Sequence, residues 1–403
     1  MIHSSYYKPR VYPYNGSIAH AEIDRLQDLS GSTTLNRTKI NEIGRDGTVG
    51  WNKGIPTVSL TLKQLEYGNL EFFNKITNDA DTALTLNDFK TSAFDITGYK
   101  TDDDGTFLGT ILYPKQRVSG FSLNIGDPDA LIERGFTTVG EDNIIFSDNN
   151  KYFIELESSA SGTGHQIVIG SGGFSTYPDP VALPDESGAK YFYRALRVRA
   201  SVTTELTEGT DFTFDSGTGL ITIPASAASD LFKFYYTATT YISGADPFTN
   251  NDSDLAGIKA DCASIYLQTS NYVYRLQSIA VDVSFDRQDI KEIGNSNVVS
   301  RGVREKTVKI TLGRILENYT IEQILRGATS GYGQYDVREF QDDIKLTIKI
   351  YSSNAKTTFK MGYSFTDLSP TNKDEGVPTK DYVTQGNTLE GESATITSIE
   401  GSL

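Results

Sequence analysis

Residues 275–312 read RLQSIAVDVSFDRQDIKEIGNSNVVSRGVREKTVKITL, and residues 25–62 read RLQDLSGSTTLNRTKINEIGRDGTVGWNKGIPTVSLTL. The two stretches, here called copy 2 and copy 1, align without a gap at a constant offset of 250, with 13 identities in 38 positions. Average composition gives about two identities by chance in such a window. An internal duplication therefore organises the chain.

The identical positions mix charged, apolar and glycine residues, which a shared strand pattern alone does not explain. Among them are Arg37/Arg287, Glu42/Glu292 and Gly44/Gly294. A glycine at that point favours a backbone with positive φ or a close approach of another chain, and a simple tight turn is the alternative interpretation.

The first strand of copy 2 carries the period-two alternation of a strand with one buried face, whereas copy 1 keeps only Leu29 and Leu35 in phase there. In copy 2 the apolar members are Ile279, Val281, Val283 and Phe285. The ends of both copies, at 58–62 and 308–312, alternate in the same way. A helix is predicted after each copy, near 62–77 and within 315–327, and Gly327 is the predicted C-cap.

Strands resume after each predicted helix, so each copy is expected to belong to a unit of several strands and one helix. The tetrapeptides GFSL (120–123) and GYSF (362–365) are predicted to correspond at a different offset, which requires an insertion or deletion. Residues 151–255 have no partner in the second half. A hairpin pattern at 211–224 indicates that they form a β-rich insertion or small extra domain, or else a long elaboration of copy 1. The predicted segments are 1–150, 151–255 and 256–403.

The charge balance narrows the function. The 403 residues include 37 basic and 52 acidic ones, for a formal net charge of −15. Such a chain is a poor candidate for a general binder of nucleic acid or anionic membranes, because both need surplus Lys and Arg. It still suits a protein that lets nucleic acid pass without holding it. No signal segment or long apolar span is visible, so synthesis in a cytoplasm and no membrane association are expected.

Recognisable chemistry is sparse. The single cysteine, Cys262, excludes an intrachain disulfide, and three histidines without ligand spacing predict neither a metal site nor a catalytic relay. No phosphate-binding loop is present. The sequence therefore predicts no catalytic, cofactor-binding or metal site, and a protein that is not an enzyme.

The repeated motif resembles a known family. A strand is followed by R-x-x-I-x-E-I-G-x-x-x-x-V and then by a strand of the V-x-(L/I)-T-L type, at 37–62 and again at 287–312. This order resembles the tail tube (major tail) proteins of tailed bacteriophages, here with a duplicated tube domain. Glu42, Gly44, Gly47 and Val49 match the family's hairpin pattern loosely, and copy 2 has Asn297 in place of Gly47.

The resemblance implies a mainly β fold of two tandem β-sandwich units, each with a flanking helix, plus the β-rich insertion. In that family six such units form a ring whose inner sheets make one continuous barrel, and stacked rings conduct the genome. A chain holding two units would then form trimeric, pseudo-hexameric rings. The implied partners are further copies of the chain and other tail proteins, in the tail of a virion, with DNA passing through the lumen unbound.

The hairpin segments at 36–56 and 286–306 are the predicted contacts with a neighbouring subunit or the next ring. The candidate residues for such contacts, or for the lumen, are Arg37, Glu42, Gly44, Asp46, Arg287, Glu292 and Gly294. The alternative is that the acids form surface salt bridges with Arg37 and Arg287. Two rival functions stay open: a baseplate or adhesin-type carbohydrate-binding protein of a virion, and a β-rich polysaccharide-degrading enzyme with an acid pair.

Overall fold

The protein is mainly β, as the sequence predicts: the computed structural model has 57% strand and 8% helix, with large antiparallel sheets. The structure describes residues 7–43, 46, 48–102, 104, 106–148, 151–183, 190–244, 256–268, 271–273, 276–290, 292, 298, 300–316, 318–327, 337–377 and 382–403.

The strands follow one another along the chain with few helices between them. In order they are β1 (Tyr7–Pro13), β2 (Ala21–Glu22), β3 (Leu26–Thr34), β4 (Arg37–Ile40), β5 (Gly50–Lys53), β6 (Thr57–Leu65), β7 (Ala83–Thr85), β8 (Phe94–Thr101), β9 (Phe107–Ile125), β10 (Glu133–Gly140), β11 (Ile144–Phe146), β12 (Tyr152–Ser159), β13 (His165–Val168), β14 (Phe192–Arg199), β15 (Val202–Leu206), β16 (Thr213–Asp215), β17 (Leu220–Ile223), β18 (Leu231–Ala238), β19 (Ala263–Leu267), β20 (Asn271–Tyr272), β21 (Leu276–Ile290), β22 (Ser300–Ile315), β23 (Ile344–Tyr351), β24 (Phe359–Gly376), β25 (Thr384–Gly391) and β26 (Ser393–Thr397). The helices are α1 (Glu71–Thr77), α2 (Asp88–Thr91) and α3 (Thr320–Leu325).

Two compact units are present, and both are discontinuous in sequence. The first unit comprises Met1–Ile23, Ala93–Gln116 and Asp142–Ser253, and the second comprises Asp24–Ser92, Arg117–Glu141 and Asp254–Leu403. The three segments inferred from the sequence describe order along the chain, and their boundaries stay a prediction.

The second unit is built on an antiparallel sheet of eight strands, in the order β3-β6-β10-β9-β21-β22-β25-β24. One face of this sheet carries the alternating apolar residues of both copies, such as Leu60 and Val281, which are fully buried. A second sheet in this unit has the order β20-β19-β23-β24-β26-β7. The eight-stranded sheet contains β3 and β6 of copy 1 and β21 and β22 of copy 2, while β4 and β5 of copy 1 form a separate two-stranded sheet.

The first unit holds three further antiparallel sheets. One has the order β2-β1-β8-β9-β11. The others, β12-β18-β14-β15 and β13-β17-β16, belong to residues 152–238, so the β character predicted for 151–255 is confirmed where the structure describes it. The predicted hairpin is present, with Phe214 paired to Ile221.

The two copies of the repeat pair their strands in the same register. Leu29 of β3 lies opposite Leu62 of β6, and Ile279 of β21 lies opposite Leu312 of β22. A register shift follows Leu26 in the first pairing and Leu276 in the second. The β4–β5 hairpin of copy 1 is equivalent to the outer part of the β21–β22 hairpin of copy 2. At offset 250, every described partner pair of copy 1 has its counterpart in copy 2.

The correspondence extends far beyond the recognisable sequence repeat. Strands β8 and β9 of the first half pair in the same register as β23 and β24 of the second half. The two register shifts also occur at equivalent positions. The pairings of β10 with β9 and of β25 with β24 also coincide, each with a single shift. The offset grows from 250 at β8 to 252 at β9, so short insertions separate strands whose sequences have diverged.

Three local predictions need correction. The strand predicted at 58–62 is confirmed, but it continues to Leu65 where the start of a helix was predicted, because the alternation keeps a period of two. The helix α1 begins only at Glu71, after Gly68 with φ +74°. The helix in 315–327 is likewise limited to α3. GFSL and GYSF do not occupy equivalent positions, since the pairing register makes Asn372, not Gly362, the counterpart of Gly120. Gly327, predicted as the C-cap, lies one residue beyond the C-cap Arg326 and has a φ of +73°.

A buried arginine joins the insertion to β8 within the first unit. Arg194 of β14 lies 2.9 Å from Asp95 in an ion pair, between the rings of Tyr14 and Tyr235, whose centroids are 4.0 and 4.2 Å from its guanidinium carbon. Burial opposes the charge of Arg194, but Asp95 and the nearby tyrosines outweigh that effect and raise its pKa. The insertion is thus held to the first-half strands by a charged contact inside an aromatic cluster.

Candidate assembly interface

The junction between the two copies is a continuous pairing of strands inside the second unit. The strand β9, which ends the spatial order β3-β6-β10-β9 of the first half, pairs with the first strand of copy 2, β21, from Ile125 opposite Ile279 to Gly120 opposite Ser284. Ile125 and Ile279 are both buried. The halves are therefore joined head to tail, with the end of one meeting the beginning of the next.

Arg287 fastens this junction. Its guanidinium donates hydrogen bonds to three backbone carbonyls of the first half: Nε to Val118 at 2.5 Å, Nη1 to Lys90 at 3.0 Å and Nη2 to Phe89 at 2.6 Å. Burial, together with the charges of Arg117 and Arg301, lowers its pKa to about 10. Three carbonyl acceptors satisfy this charge, and no carboxylate of the described residues forms an ion pair with it.

A second contact crosses between the halves in the core of this unit. Tyr363 of β24 donates a hydrogen bond of 2.6 Å to Glu66, which also lies 3.5 Å from the guanidinium of Arg134. All three side chains are fully buried. Burial raises the pKa of Tyr363 well above its ordinary value, with the Glu66 charge adding to the effect, so the phenol stays a donor.

The eight-stranded sheet ends in two unlike edges. Most of β3 is exposed, and from Thr371 to Gly376 the outer part of β24 is almost entirely exposed. Within the described residues, β3 pairs only with β6, and this part of β24 pairs only with β25. Val377, next to that edge, is 72% exposed. Open edges of this kind are ready to pair with another chain.

The β4–β5 hairpin presents an apolar surface. Ile43 and Trp51 are both exposed, Trp51 by 53%, and the ammonium of Lys39 lies 5.5 Å from the indole centroid. At the equivalent position of copy 2 a charged pair occurs instead, with Asp289 2.5 Å from Arg301. Trp51, the only tryptophan of the chain, lies in the predicted contact segment 36–56 but was not among the named candidate residues.

The predicted site residues are found in different surroundings. Arg37, Glu42, Asp46 and Glu292 are exposed, whereas Arg287 is half-buried at the junction. Arg37 forms no hydrogen bond or ion pair with any residue that the structure describes. Gly44 and Gly294 lie outside the described residues, so their predicted roles stay predictions. The acids are therefore not brought together with Arg287, which binds carbonyls.

Charge on the sheet face opposite the core is mixed and predominantly acidic. Directly paired residues form a row across all eight strands, and its charged members are Asp28, Lys63, Asp282, Lys309 and Glu390. Glu133 and Asp374 lie on the same face. These residues are five carboxylates and two ammonium groups, and the same registers place Asp286, Glu305 and Arg117 on this face.

One serine–histidine pair is the nearest approach to catalytic chemistry. Ser158 Oγ lies 2.9 Å from Nε2 of His165, a residue of β13 rather than of a loop, but Ser158 is buried and no described carboxylate contacts the imidazole. No group of three or more metal-ligating side chains occurs among the described residues. In the same part of the chain, no helix is long and apolar enough to cross a membrane.

No protein-family profile matches the chain, and no curated protein matches it in sequence.

Proposed function

We propose that the chain is a structural virion protein, the tail tube subunit of a tailed bacteriophage. It polymerises as trimeric, pseudo-hexameric rings that stack into a tube conducting DNA. The observation that carries the proposal is the head-to-tail order of the eight-stranded sheet, in which the second half repeats the pairing of the first and leaves two different open edges.

Such a sheet favours a closed ring over a dimer with twofold symmetry. Two unlike edges can only meet heterologously, and heterologous contacts close into rings or continue as filaments. Closing the ring pairs β24 of each chain with β3 of the next and removes both open edges of the eight-stranded sheet. The number three comes from the family resemblance, since six half-chains make one ring.

The dimensions of this ring suit its cargo. Eight strands per chain give 24 strands in a trimer. At a spacing of about 4.8 Å and a tilt of about 40°, these strands enclose a cylinder roughly 48 Å across between backbones. The face opposite the core lines this cylinder, and its acidic bias repels phosphate, so that DNA slides through without being held.

Negative-stain microscopy and sedimentation of the purified protein test the proposal. Trimeric rings or hollow tubes are expected. The proposal also places the protein in the tail of the virion, with other tail proteins as its partners. A protein that stays monomeric at every concentration, or one that binds or cleaves a glycan, would instead favour the adhesin or polysaccharide-degrading alternatives.

A further inference from the structure

The junction inside the chain supplies a template for the contact between chains. Within one chain β9 pairs with β21, and Arg287 donates to carbonyls of the preceding half. The counterparts of these elements in the other half are β24, β3 and Arg37. Both the strand edges and Arg37 are exposed, and the described chain contains no partner for them.

We infer that Arg37 of one chain anchors a second copy of the chain by donating hydrogen bonds to the backbone carbonyls of its Glu339, Phe340 and Pro370. This inference rests on the proposed ring and adds the register and the anchoring residue. At the offset of 250, the positions in the second half equivalent to Phe89 and Lys90 are Glu339 and Phe340. Offset 252, fixed by the β9–β24 correspondence, takes Val118 to Pro370.

The same correspondence sets the register of the strands. Gly376 faces Ser30 of the second copy, and Asp374 faces its Ser32, as Asn124 faces Ala280 and Ser122 faces Asp282 within one chain. The buried pair Ile125–Ile279 within one chain corresponds, between chains, to Val377 opposite Leu29 of the second copy. Docking therefore covers Val377, which is 72% exposed in the single chain.

The contact between chains is more polar than the junction within a chain. Within the chain Leu123 faces Val281, whereas the corresponding residues between chains are Glu375 and Gly31. Less apolar burial leaves more of the contact energy to the arginine, whose planar guanidinium spans several acceptors at once. Arg37 is thus expected to matter more for assembly than any other exposed cation of the chain.

Cysteine crosslinking tests the register. Ser32→Cys with Asp374→Cys places two exposed residues directly opposite each other on one face, at a separation that a disulfide spans. Mild oxidation of rings should yield covalent dimers and trimers on a non-reducing gel. Thr33→Cys with Asp374→Cys is the matched control, because a slip of one residue turns the side chain to the other face. Equal crosslinking of both pairs, or crosslinking of the control alone, overturns the register.

Substitution tests the anchor. Arg37→Ala should raise the protein concentration for half-maximal assembly by about tenfold or more, since charge-assisted hydrogen bonds to three carbonyls are lost. Lys259→Ala, which removes another exposed cation with only a weak ion pair to Asp129 at 3.8 Å, should leave it unchanged. Thermal unfolding of dilute monomer should be the same in both variants.

The failures are distinguishable. If the unmodified protein forms no ring, the proposed function fails and the anchor with it. If it forms rings, but Arg37→Ala assembles as readily as Lys259→Ala, the anchor is overturned while the proposed function stands.

Discussion

Arg134 and Gln64 face each other across β10 and β6 with Nε 2.8 Å from Oε1, and the second half contains the same contact with the residues exchanged. There the arginine is Arg314, on the counterpart of β6, and the glutamine is Gln385, on the counterpart of β10, again at 2.8 Å. The carboxylate that accompanies each arginine has moved as well. Two diverged halves have thus kept one buried polar contact while exchanging which strand supplies the charge.

The acid of the first network is Glu66, and that of the second is Glu322, 3.0 Å from Arg314. Offset 250 makes Leu316 the counterpart of Glu66 and Phe72 the counterpart of Glu322. Each half therefore places an acid where the other has an apolar residue. The arginine and its counter-charge are required together, because a buried guanidinium without a carboxylate is strongly unfavourable.

Removing the arginine alone should destabilise the protein strongly. Arg134→Met leaves Glu66 buried without its counter-charge, and we expect a loss of about 3–5 kcal/mol in the free energy of unfolding. The double variant with Glu66→Leu should recover part of that loss, since it removes the unpaired charge but leaves the buried hydroxyl of Tyr363 without its acceptor. Denaturant unfolding of the single and double variants measures the coupling. Additive losses would show that the pair is not a coupled unit.

The sequence supports prediction of part of this fold. The strands of copies 1 and 2 were predictable from period-two alternation, and the duplication from identities such as Arg37/Arg287. The correspondence of β9 with β24 was not, because strand positions tolerate any residue that suits the face, and Gly120 corresponds to Asn372. Arg287 was singled out by its repetition as a contact with a neighbouring subunit, and that role stays a prediction. Its acceptors within the chain are backbone carbonyls of residues distant in sequence, and no sequence pattern marks them.

Other features left no signal at all. The sequence does not show that Val377 and β24 lie at an open edge of the sheet. That position depends on the strand order, which is set by pairings between residues far apart in sequence. The exchange between Gln64 and Arg314 conceals a structural equivalence, since an aligned glutamine and arginine count as a mismatch.

The stability of the first unit should depend on acid pH through Glu155. Burial alone would raise the pKa of this carboxyl. Hydrogen bonding to His20 and the charges of His20 and Lys233 outweigh burial and lower the pKa from 4.5 to about 2. A lowered pKa stabilises the folded state above pH 4.5, and this contribution disappears as the pH falls toward 2. The shift corresponds to about 3 kcal/mol.

Urea unfolding at several pH values should therefore show a steep loss of stability between pH 4.5 and 2, and Glu155→Gln should flatten that slope. Glu157→Gln is the control, since Glu157 is half-exposed on the same strand, 3.2 Å from the same lysine. A control slope as flat as that of Glu155→Gln would mean that Glu155 is not the responsible group.

The fluorescence of the only tryptophan can report whether the β4–β5 hairpin forms a contact between chains. Trp51 is 53% exposed in the single chain. If the 36–56 segment contacts a neighbouring subunit or the next ring, its emission should shift to shorter wavelength as the protein assembles, because the indole leaves water. Trp51→Ala should weaken assembly, and Val202→Ala, an exposed apolar residue of the insertion, should not. An unchanged spectrum in fully formed tubes would exclude the hairpin from the contact.

Reversing charge on the lining face should convert a passive wall into one that holds DNA. Asp282 and Glu390 flank Lys309 in the row that crosses the sheet, so Asp282→Lys with Glu390→Lys creates three adjacent cations in every chain. Tubes of this variant assembled with short duplex DNA should retain it at low salt and release it as salt rises, with a linear dependence of log K on log salt. Asp104→Lys with Glu205→Lys, both exposed in the first unit, adds the same charge outside this face and should retain none. Co-sedimentation of labelled DNA with nuclease-treated tubes measures the difference, and equal retention by both variants would show that the acidic face does not line the path of the DNA.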